Sequence, residues 1–279
     1  MRIATYPDAG SFLDVAQNYL EKDEALNNLP LGLACRLRDQ ESVDPPPLYL
    51  TAADDDGLVL AALMTPPHNL ILYSDRSDPG LSELVHHLVP STWTVPGILG
   101  PADLAGRFAR AWEEATDRTS RIKTRLRVYQ LTSVEHRGSA PGHFRAATPV
   151  DVDLLTGWSR DFGLAIDEPR GNLEEITPAV LNRIAAGNLF IWEDGKPVSM
   201  AAYSRPTSHG TAINEVYTPP EFRSRGYATA CVAALSQHQL DRGHIFCALF
   251  ADLDNPISNS VYQKIGYRPV GDFDQIEFA

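Results

Sequence analysis

Short apolar runs separated by a polar turn recur in both halves of the chain. In the first half, residues 48–50 and 58–64 flank an Asp-Gly turn at 56–57, and in the second half, residues 189–192 and 198–203 flank another at 194–195. An Asp-Gly pair between apolar runs favours a β-hairpin, because glycine adopts positive φ without steric cost. Each half is therefore predicted to contain a hairpin of the same kind.

A second similarity lies further along each half. Residues 97–102 (GILGPA) precede a helical stretch over 103–116, and residues 223–228 (RSRGYA) precede one that closes at Arg242 and Gly243. Both segments place a glycine and then an alanine at the start of a helix. The distance along the chain between the two segments is longer than the period of solenoid repeats, which indicates two related domains. A polar segment with two glycines and a proline separates them. We predict a first domain over 1–135, a linker at 136–142 and a second domain over 143–279.

The composition excludes several classes of protein. Of 279 residues, 43% are hydrophobic, which suffices for ordinary buried cores. The longest apolar stretch, residues 58–64, is too short to span a membrane, and Asp8 and Asp14 interrupt any signal-like run near the N-terminus. We therefore expect neither a membrane partner nor a secretory signal.

The cysteines Cys35, Cys231 and Cys247 are odd in number and widely spaced. This spacing indicates neither a disulfide framework nor a zinc site. Each cysteine is expected to be a small buried hydrophobic residue. A reducing cytoplasm and the absence of a metal follow as expectations.

The charge pattern argues against a nucleic-acid partner. A formal net charge of −12 repels phosphate backbones and would tolerate a cationic amine, although solubility alone also explains it. Cations alternate with uncharged residues at Arg121, Lys123, Arg125 and Arg127. That pattern allows anion binding but favours a solvated strand face. The run Asp54-Asp55-Asp56 is interpreted as a solvated turn rather than a metal site.

Residues 213–243 have the pattern of a strand, a loop and a helix. Pro219-Pro220 ends the strand, Gly226 opens the helix, and small or apolar residues at 228, 231, 232 and 235 form a buried helical stripe. The first N–H groups of a helix have no intrahelical partner, and Gly226 lets an anion approach the backbone. Arg223 and Arg225 can add charge-assisted hydrogen bonds. The segment is therefore predicted to hold phosphate, with a plain strand-to-helix connection as the alternative.

A short helix follows a second strand near the C-terminus. Residues 244–250 are apolar on both alternating faces, as in a central strand. Asn255 is a good helix cap and Pro256 a good first helical residue, and the helix ends at Gly266.

These two segments resemble the GNAT superfamily of acyl-CoA N-acyltransferases. Residues 223–228 are similar to its Arg/Gln-x-x-Gly-x-Gly/Ala pyrophosphate loop, and residues 255–267 to its late Asn…Tyr helix with a Gly-Tyr ending. The resemblance covers 143–279 well and 1–135 only loosely. It implies an α/β (α+β) fold of two GNAT-like domains, each a mixed, mostly antiparallel twisted sheet flanked by helices.

The resemblance also implies a set of site residues. Acetyl-CoA is the expected acyl donor, bound by Val216, Tyr217, Thr218, Arg223, Ser224, Arg225, Gly226, Tyr227, Ala228, Asn255 and Ser260. Tyr262 occupies the position of the family's proposed acid, with a packing tyrosine as the alternative. Glu215 is the candidate base, with a cross-strand carboxylate as the alternative. In the first half, Gly97 stands where the loop arginine is expected and Pro101 removes an N–H, so that half is expected to bind acyl-CoA poorly or not at all.

The predicted function is transfer of an acetyl group from acetyl-CoA to a primary amine. The acceptor is an amine-bearing small molecule, peptide or protein, and the enzyme is a monomer or homodimer. The alternatives are a non-catalytic acyl-CoA sensor or scaffold, and transfer of a longer acyl group. Acceptor specificity is expected to lie in residues 158–177 and in the cleft between the halves.

Overall fold

Twelve strands and eight α-helices form the part of the chain that the computed structural model describes, residues 1–40 and 44–279. The strands are β1 (Arg2–Tyr6), β2 (Leu48–Asp54), β3 (Gly57–Met64), β4 (Leu70–Tyr73), β5 (Gly97–Pro101), β6 (Ser120–Leu131), β7 (His143–Ala146), β8 (Leu189–Glu193), β9 (Pro197–Ser204), β10 (Gly210–Tyr217), β11 (Phe246–Asp252) and β12 (Arg268–Phe278). The helices are α1 (Ala9–Leu20), α2 (Asn28–Arg38), α3 (Leu81–Leu88), α4 (Ala102–Ala115), α5 (Val152–Ala165), α6 (Leu173–Ala185), α7 (Tyr227–Asp241) and α8 (Pro256–Ile265). Both predicted hairpins are present, as β2–β3 and β8–β9.

All these strands belong to one sheet, in the order β1-β2-β3-β4-β5-β12-β6-β11-β10-β9-β8-β7. Within the described residues, neighbouring strands are antiparallel except for β4 with β5 and β10 with β11. The predicted fold class, a mixed and mostly antiparallel sheet flanked by helices, is therefore confirmed.

The last strand of each half lies inside the sheet of the other half. β6 pairs with β11 along 126–131, and β12 pairs with β5 along 97–101 and with β6 along most of its length. Residues 136–142 connect β6 to β7, but the sheet is continuous across this connection. The two halves are consequently joined by main-chain hydrogen bonds.

The pairing of β6 with β12 also explains the alternating cations of β6. Arg121 and Lys123 form ion pairs with Glu277 at 2.6 and 3.2 Å, and Arg127 pairs with Asp272 at 2.6 Å. The predicted cationic face is thus matched by carboxylates on the neighbouring strand β12.

Helices cover both faces of the sheet. In the first half, α1 and α2 pack with Tyr49 and Leu63, while α3 and α4 pack with Leu50 and Leu60 on the opposite face. In the second half, α5 and α6 cover one face around Met200, while α7 and α8 cover the other. Successive strand residues point to opposite faces of the sheet, so each of these apolar strands contributes side chains to the cores on both faces.

The cysteines follow the prediction in two cases of three. Cys231 and Cys247 are buried free thiols, but Cys35 of α2 is only half-buried, at the edge of the core that α2 covers. None of the helices described here is both long and apolar enough to cross a membrane.

The structure corrects the predicted correspondence between the halves. The helix that connects the parallel strands is α7 in the second half and α3 in the first half. The counterpart of Gly226 is therefore Gly80, and both have left-handed backbone with φ of 80° and 71°. Gly97 and Pro101 belong to β5, which continues directly into α4. The Gly-Ala pattern shared by residues 97–102 and 223–228 led to the wrong correspondence, because a local pattern does not determine strand order.

Candidate active site

A gap opens between the parallel strands β10 and β11. They pair over Gly210–Ala212 and Phe246–Ala248, and β10 then continues to Tyr217 without a described partner on that side. Its other side remains paired with β9. The gap therefore lies between residues 213–217 and 249–252 and exposes strand backbone, including that of Val216 and Tyr217, to a ligand.

A bulge in β10 shapes one side of this gap. The β9–β10 register shifts between Asn214 and Tyr217, and Glu215 has a left-handed φ of 49°. A bulge bends a strand and re-aims its side chains. Here it buries Glu215, which is 3% exposed, toward α5 and α6.

Glu215 is held by three side chains. Its Oε1 accepts hydrogen bonds from Arg170 and from Ser159, the latter at 3.3 Å, and its Oε2 lies 3.3 Å from Nε of Arg183. Two guanidinium groups stabilise an ionised carboxylate and compete with any amine for its oxygens. These partners were missed at the sequence level, because residues 170 and 183 lie far from the motif and carry no local signal.

The loop after β10 leads into the entrance of α7, defined as residues 223–228. Ser224 and Gly226 have left-handed φ values of 63° and 80°, and among the described residues no side chain caps the helix. Residues 223–226 are exposed. An uncapped, accessible helix start presents free N–H groups and a favourable dipole to an anion, so these residues fit a diphosphate.

Several predicted residues have defined partners around this entrance. Arg223 donates from Nε to the carbonyl oxygen of Thr218 at 3.0 Å, which stabilises the loop, and Arg225 is exposed beside it. The Tyr227 hydroxyl donates to Asp194 at 2.6 Å. That hydrogen bond raises the pKa of Tyr227 and joins α7 to the β8–β9 turn. The structure thus brings residues 216–218 and 223–228 together along one edge of the gap.

Tyr262 lies on α8 within the core that borders the gap. It is 8% exposed and belongs to the same buried cluster as Ile213 and Leu249, the first residues beyond the paired segment of β10 and β11. Its ring packs 6.3 Å from that of Tyr129 and 6.0 Å from that of Tyr267. Tyr262 and the gap are therefore neighbours, although their sequence positions are far apart.

The hydroxyl of Tyr262 differs in its hydrogen bonding from the hydroxyls of Tyr129 and Tyr267. Tyr129 donates to Asn259 at 2.8 Å, and the Tyr267 hydroxyl bonds to Ser236 at 2.7 Å. Among the described residues, the Tyr262 hydroxyl has no such partner, and burial raises its pKa to about 12. Tyr262 is consequently a protonated phenol at neutral pH with a free donor.

Helix α8 begins as the sequence predicts. Asn255 caps it by accepting from the Ser258 N–H at 3.1 Å, and Pro256 is its first residue. Ser260 is half-buried on the same helix. Asn259, which the sequence did not single out, donates to the carbonyl oxygens of Asp252 and Asn255 at 2.7 Å each. It therefore ties α8 to the end of β11.

The corresponding entrance in the first half carries negative charge. Asp78 accepts from the Gly80 N–H at 3.3 Å, Glu83 lies in the first turn of α3, and the Met1 side chain occupies the space beside Gly80. These groups disfavour an incoming phosphate. That this half binds acyl-CoA poorly stays a prediction, and its physical reason lies at Gly80 rather than at Gly97 and Pro101.

The splayed parallel pair, the bulge and the uncapped helix start together define the candidate site. Residues 154–267 match the acetyltransferase (GNAT) family. This match lies in the C-terminal half of the chain and includes both segments whose motifs resemble the same family. Among curated proteins, no sequence relative matched the chain.

Solved structures share the fold over both halves. A GCN5-related N-acetyltransferase from Sphaerobacter thermophilus has 16% identity and a TM-score of 0.65, covering 99% of this chain and 95% of its own. A GNAT-family acetyltransferase from Colwellia psychrerythraea has 14% identity and a TM-score of 0.59, covering 100% and 99%. A tandem GNAT protein from the clavulanic acid biosynthesis pathway has 12% identity and a TM-score of 0.57, covering 100% and 98%. At these identities the likeness shows the fold alone.

Proposed function

We propose that the protein transfers an acetyl group from acetyl-CoA to a primary amine. The observation that carries the proposal is the free hydroxyl of buried Tyr262 beside the gap between β10 and β11. A non-catalytic acyl-CoA sensor has no need for such a donor. The unpaired thiols fit the expected reducing cytoplasm.

The gap and the helix entrance supply the binding groups for the donor substrate. The backbone of Val216, Tyr217 and Thr218 would pair with the pantetheine arm like an added strand, and Asn255 and Ser260 would lie along the same arm. The N–H groups at Gly226, Tyr227 and Ala228, with Arg223, Ser224 and Arg225, would hold the diphosphate. The bound thioester supplies an activated acetyl group.

The amine must lose a proton before it reacts. An alkylamine with a pKa near 10.4 is protonated at pH 7, and the free base costs about 4–5 kcal/mol. Glu215 is a carboxylate on the bulge beside the gap, but Arg170 and Arg183 already hold its oxygens. We propose that water accepts this proton while Glu215 holds the two arginines in place, and Glu215→Gln tests the alternative role as base.

Tyr262 acts on the leaving thiolate. The amine nitrogen forms a bond to the acetyl carbon as the C–S bond breaks, and negative charge develops on sulfur. Full proton transfer from a phenol of pKa about 12 to a thiolate of conjugate pKa near 8.5 is uphill by about 5 kcal/mol. Tyr262 therefore stabilises the sulfur chiefly as a hydrogen-bond donor in a dry site.

A thiol-release assay with acetyl-CoA and a panel of primary amines tests the proposal. We expect amine-dependent release of CoA, with N-acetylated product confirmed by mass spectrometry. Tight CoA binding in calorimetry, without release in the presence of any amine, would favour the sensor instead. A parallel series of longer acyl-CoA donors determines the acyl chain that the site accepts.

A further inference from the structure

Four arginines from separate segments gather on the face of the sheet that carries α2, α5 and α6. We define the arginine cluster as Arg36 of α2, Arg170 of the α5–α6 loop, Arg183 of α6 and Arg205 of the β9–β10 loop. Arg170 and Arg183 contact Glu215 on the bulge. The charges of Arg36 and Arg183 act on Arg205, and those of Arg36 and Arg170 act on Arg183. The cluster therefore borders the bulge beside the gap.

Positive charge exceeds negative charge in this cluster. Glu215 is the carboxylate held at its centre, and Glu168 lies close enough to Arg170 to act on its charge. Burial, followed by the neighbouring cations, lowers the pKa of both Arg183 and Arg205 to about 10. Both remain charged at neutral pH, so two cations stay uncompensated in a protein whose net charge is −12.

Two guanidinium donors in the cluster are buried without a partner. Nη1 of Arg183 and Nε of Arg205 make no hydrogen bond within the described part of the chain. A buried donor left unpaired is costly, and the cost is greater for a charged group. A carboxylate or phosphate is the natural complement of guanidinium N–H groups. The unpaired guanidinium donors of the cluster therefore fit an anion.

The first half of the chain positions one of these arginines. A Cβ on Gly32 of α2 would collide with the Cβ, Cα and carbonyl oxygen of Arg205, and Arg205 itself has a left-handed φ of 52°. Close packing of α2 against this loop requires glycine at that position. The N-terminal half therefore builds part of the surface beside the C-terminal site.

We propose that the arginine cluster binds an anionic group of the acceptor, so that the amine belongs to a molecule that also carries a carboxylate or a phosphate. The proposal rests on the proposed acetyl transfer and narrows its acceptor class. It narrows the expectation, based on net charge, that the protein tolerates a cationic amine.

Matched amine pairs test this proposal in the full-length protein. Phenylalanine is compared with phenylalanine amide, and phosphoethanolamine with ethanolamine, in the thiol-release assay. We expect kcat/KM to be about tenfold or more higher for the anionic member of at least one pair, and the pair that shows it distinguishes carboxylate from phosphate. Arg205→Gln should abolish the preference, and Arg268→Gln, an exposed ion-paired arginine outside the cluster and outside residues 158–177, should keep it. Equal kcat/KM within both pairs in the unaltered protein overturns the proposal.

A binding measurement separates this proposal from the proposed function. If no amine is acetylated, acetyl transfer fails, and the thermal midpoint is measured with acetate and with inorganic phosphate against chloride at constant ionic strength. A rise in the unaltered protein and in Arg268→Gln, absent in Arg205→Gln, supports the anion site, whereas no rise in the unaltered protein overturns it. Should Arg205→Gln not fold, Arg36→Gln on the exposed face of α2 replaces it and is expected to reduce the same response.

Discussion

Arg127 on β6 donates two hydrogen bonds to the carboxylate of Asp272 on β12, from Nε to Oδ1 at 2.6 Å and from Nη2 to Oδ2 at 2.8 Å. These bonds hold the pKa of Asp272 below its usual value. The pair joins the last strand before residues 136–142 to the last strand of the chain. Because each of these strands lies inside the sheet of the other half, the two halves depend on one another for a complete sheet.

Dividing the chain within residues 136–142 should prevent separate folding. The piece 143–279 would lose β6 from between β11 and β12, and the piece 1–135 would lose β12 from between β5 and β6, which leaves open strand edges. We expect each piece alone to lack a cooperative thermal transition in circular dichroism and an equimolar mixture to recover one. A cooperative, native-like transition of 143–279 alone would contradict the interdependence of the halves.

Replacing Tyr262 by phenylalanine should separate catalysis from binding. We expect Tyr262→Phe to lower kcat about tenfold or more, because the donor to the thiolate is lost. The affinity for acetyl-CoA in calorimetry should change little. Tyr267→Phe is the matched control: it removes a buried hydrogen bond to Ser236 and should lower stability by about 1 kcal/mol without a comparable loss of kcat. An unchanged kcat in Tyr262→Phe removes this residue from the mechanism.

Alanine at Gly226 should weaken cofactor binding. A side chain in left-handed backbone costs about 1–2 kcal/mol, so the helix entrance would shift and CoA affinity would fall about tenfold. Gly243, at the other end of α7, also has positive φ and open space around it. Gly243→Ala should therefore lose similar stability in urea while its calorimetric CoA affinity stays the same. Arg223→Ala should weaken CoA binding as well, and equal affinity in both Gly226→Ala and Arg223→Ala would exclude this entrance as the diphosphate site.

The contact between the halves at His209 should be pH-dependent. His209 donates from its backbone N–H and bonds through Nδ1 to Glu24, at 2.8 and 2.7 Å. The hydrogen bond to Glu24, with the charges of Glu24 and Glu21, raises the pKa of His209. The contact between His209 and Glu24 therefore gives its full stabilisation of the folded state below the ordinary histidine pKa of about 6.5. This stabilisation is lost as the pH rises through the raised pKa of His209.

Urea unfolding from pH 6 to pH 9 measures this dependence. The difference in unfolding free energy between the unaltered protein and His209→Gln should be largest at pH 6 and should shrink as the pH increases. A difference that stays constant or grows toward pH 9 would show that the charged imidazole does not stabilise the contact. His244→Gln, whose pKa burial lowers instead, serves as the control and should not reproduce the trend.

Local sequence motifs could not indicate contacts between residues that are far apart in the chain. The helix start at Gly226 and the cap at Asn255 were predicted from the sequence because each depends on residues close in the chain, whereas Tyr262 was named from a motif that resembles the GNAT superfamily. Arg170, Arg183 and Arg205 were not, because nothing in their local sequence distinguishes them from ordinary surface arginines. Their importance arises when the α5–α6 loop and α6 meet Glu215 and when α2 packs against the β9–β10 loop.

The sequence by itself determined the two hairpins and the starts of α7 and α8, since turn chemistry, capping and apolar periodicity act over a few residues, and it carried the two segments that resemble the GNAT superfamily. Tertiary structure alone decided the exchange of β6 and β12, the correspondence of Gly226 with Gly80 rather than with Gly100 of residues 97–102, and the arginine cluster. Strand order depends on which distant faces and edges fit together, and that complementarity has no local signature in the chain.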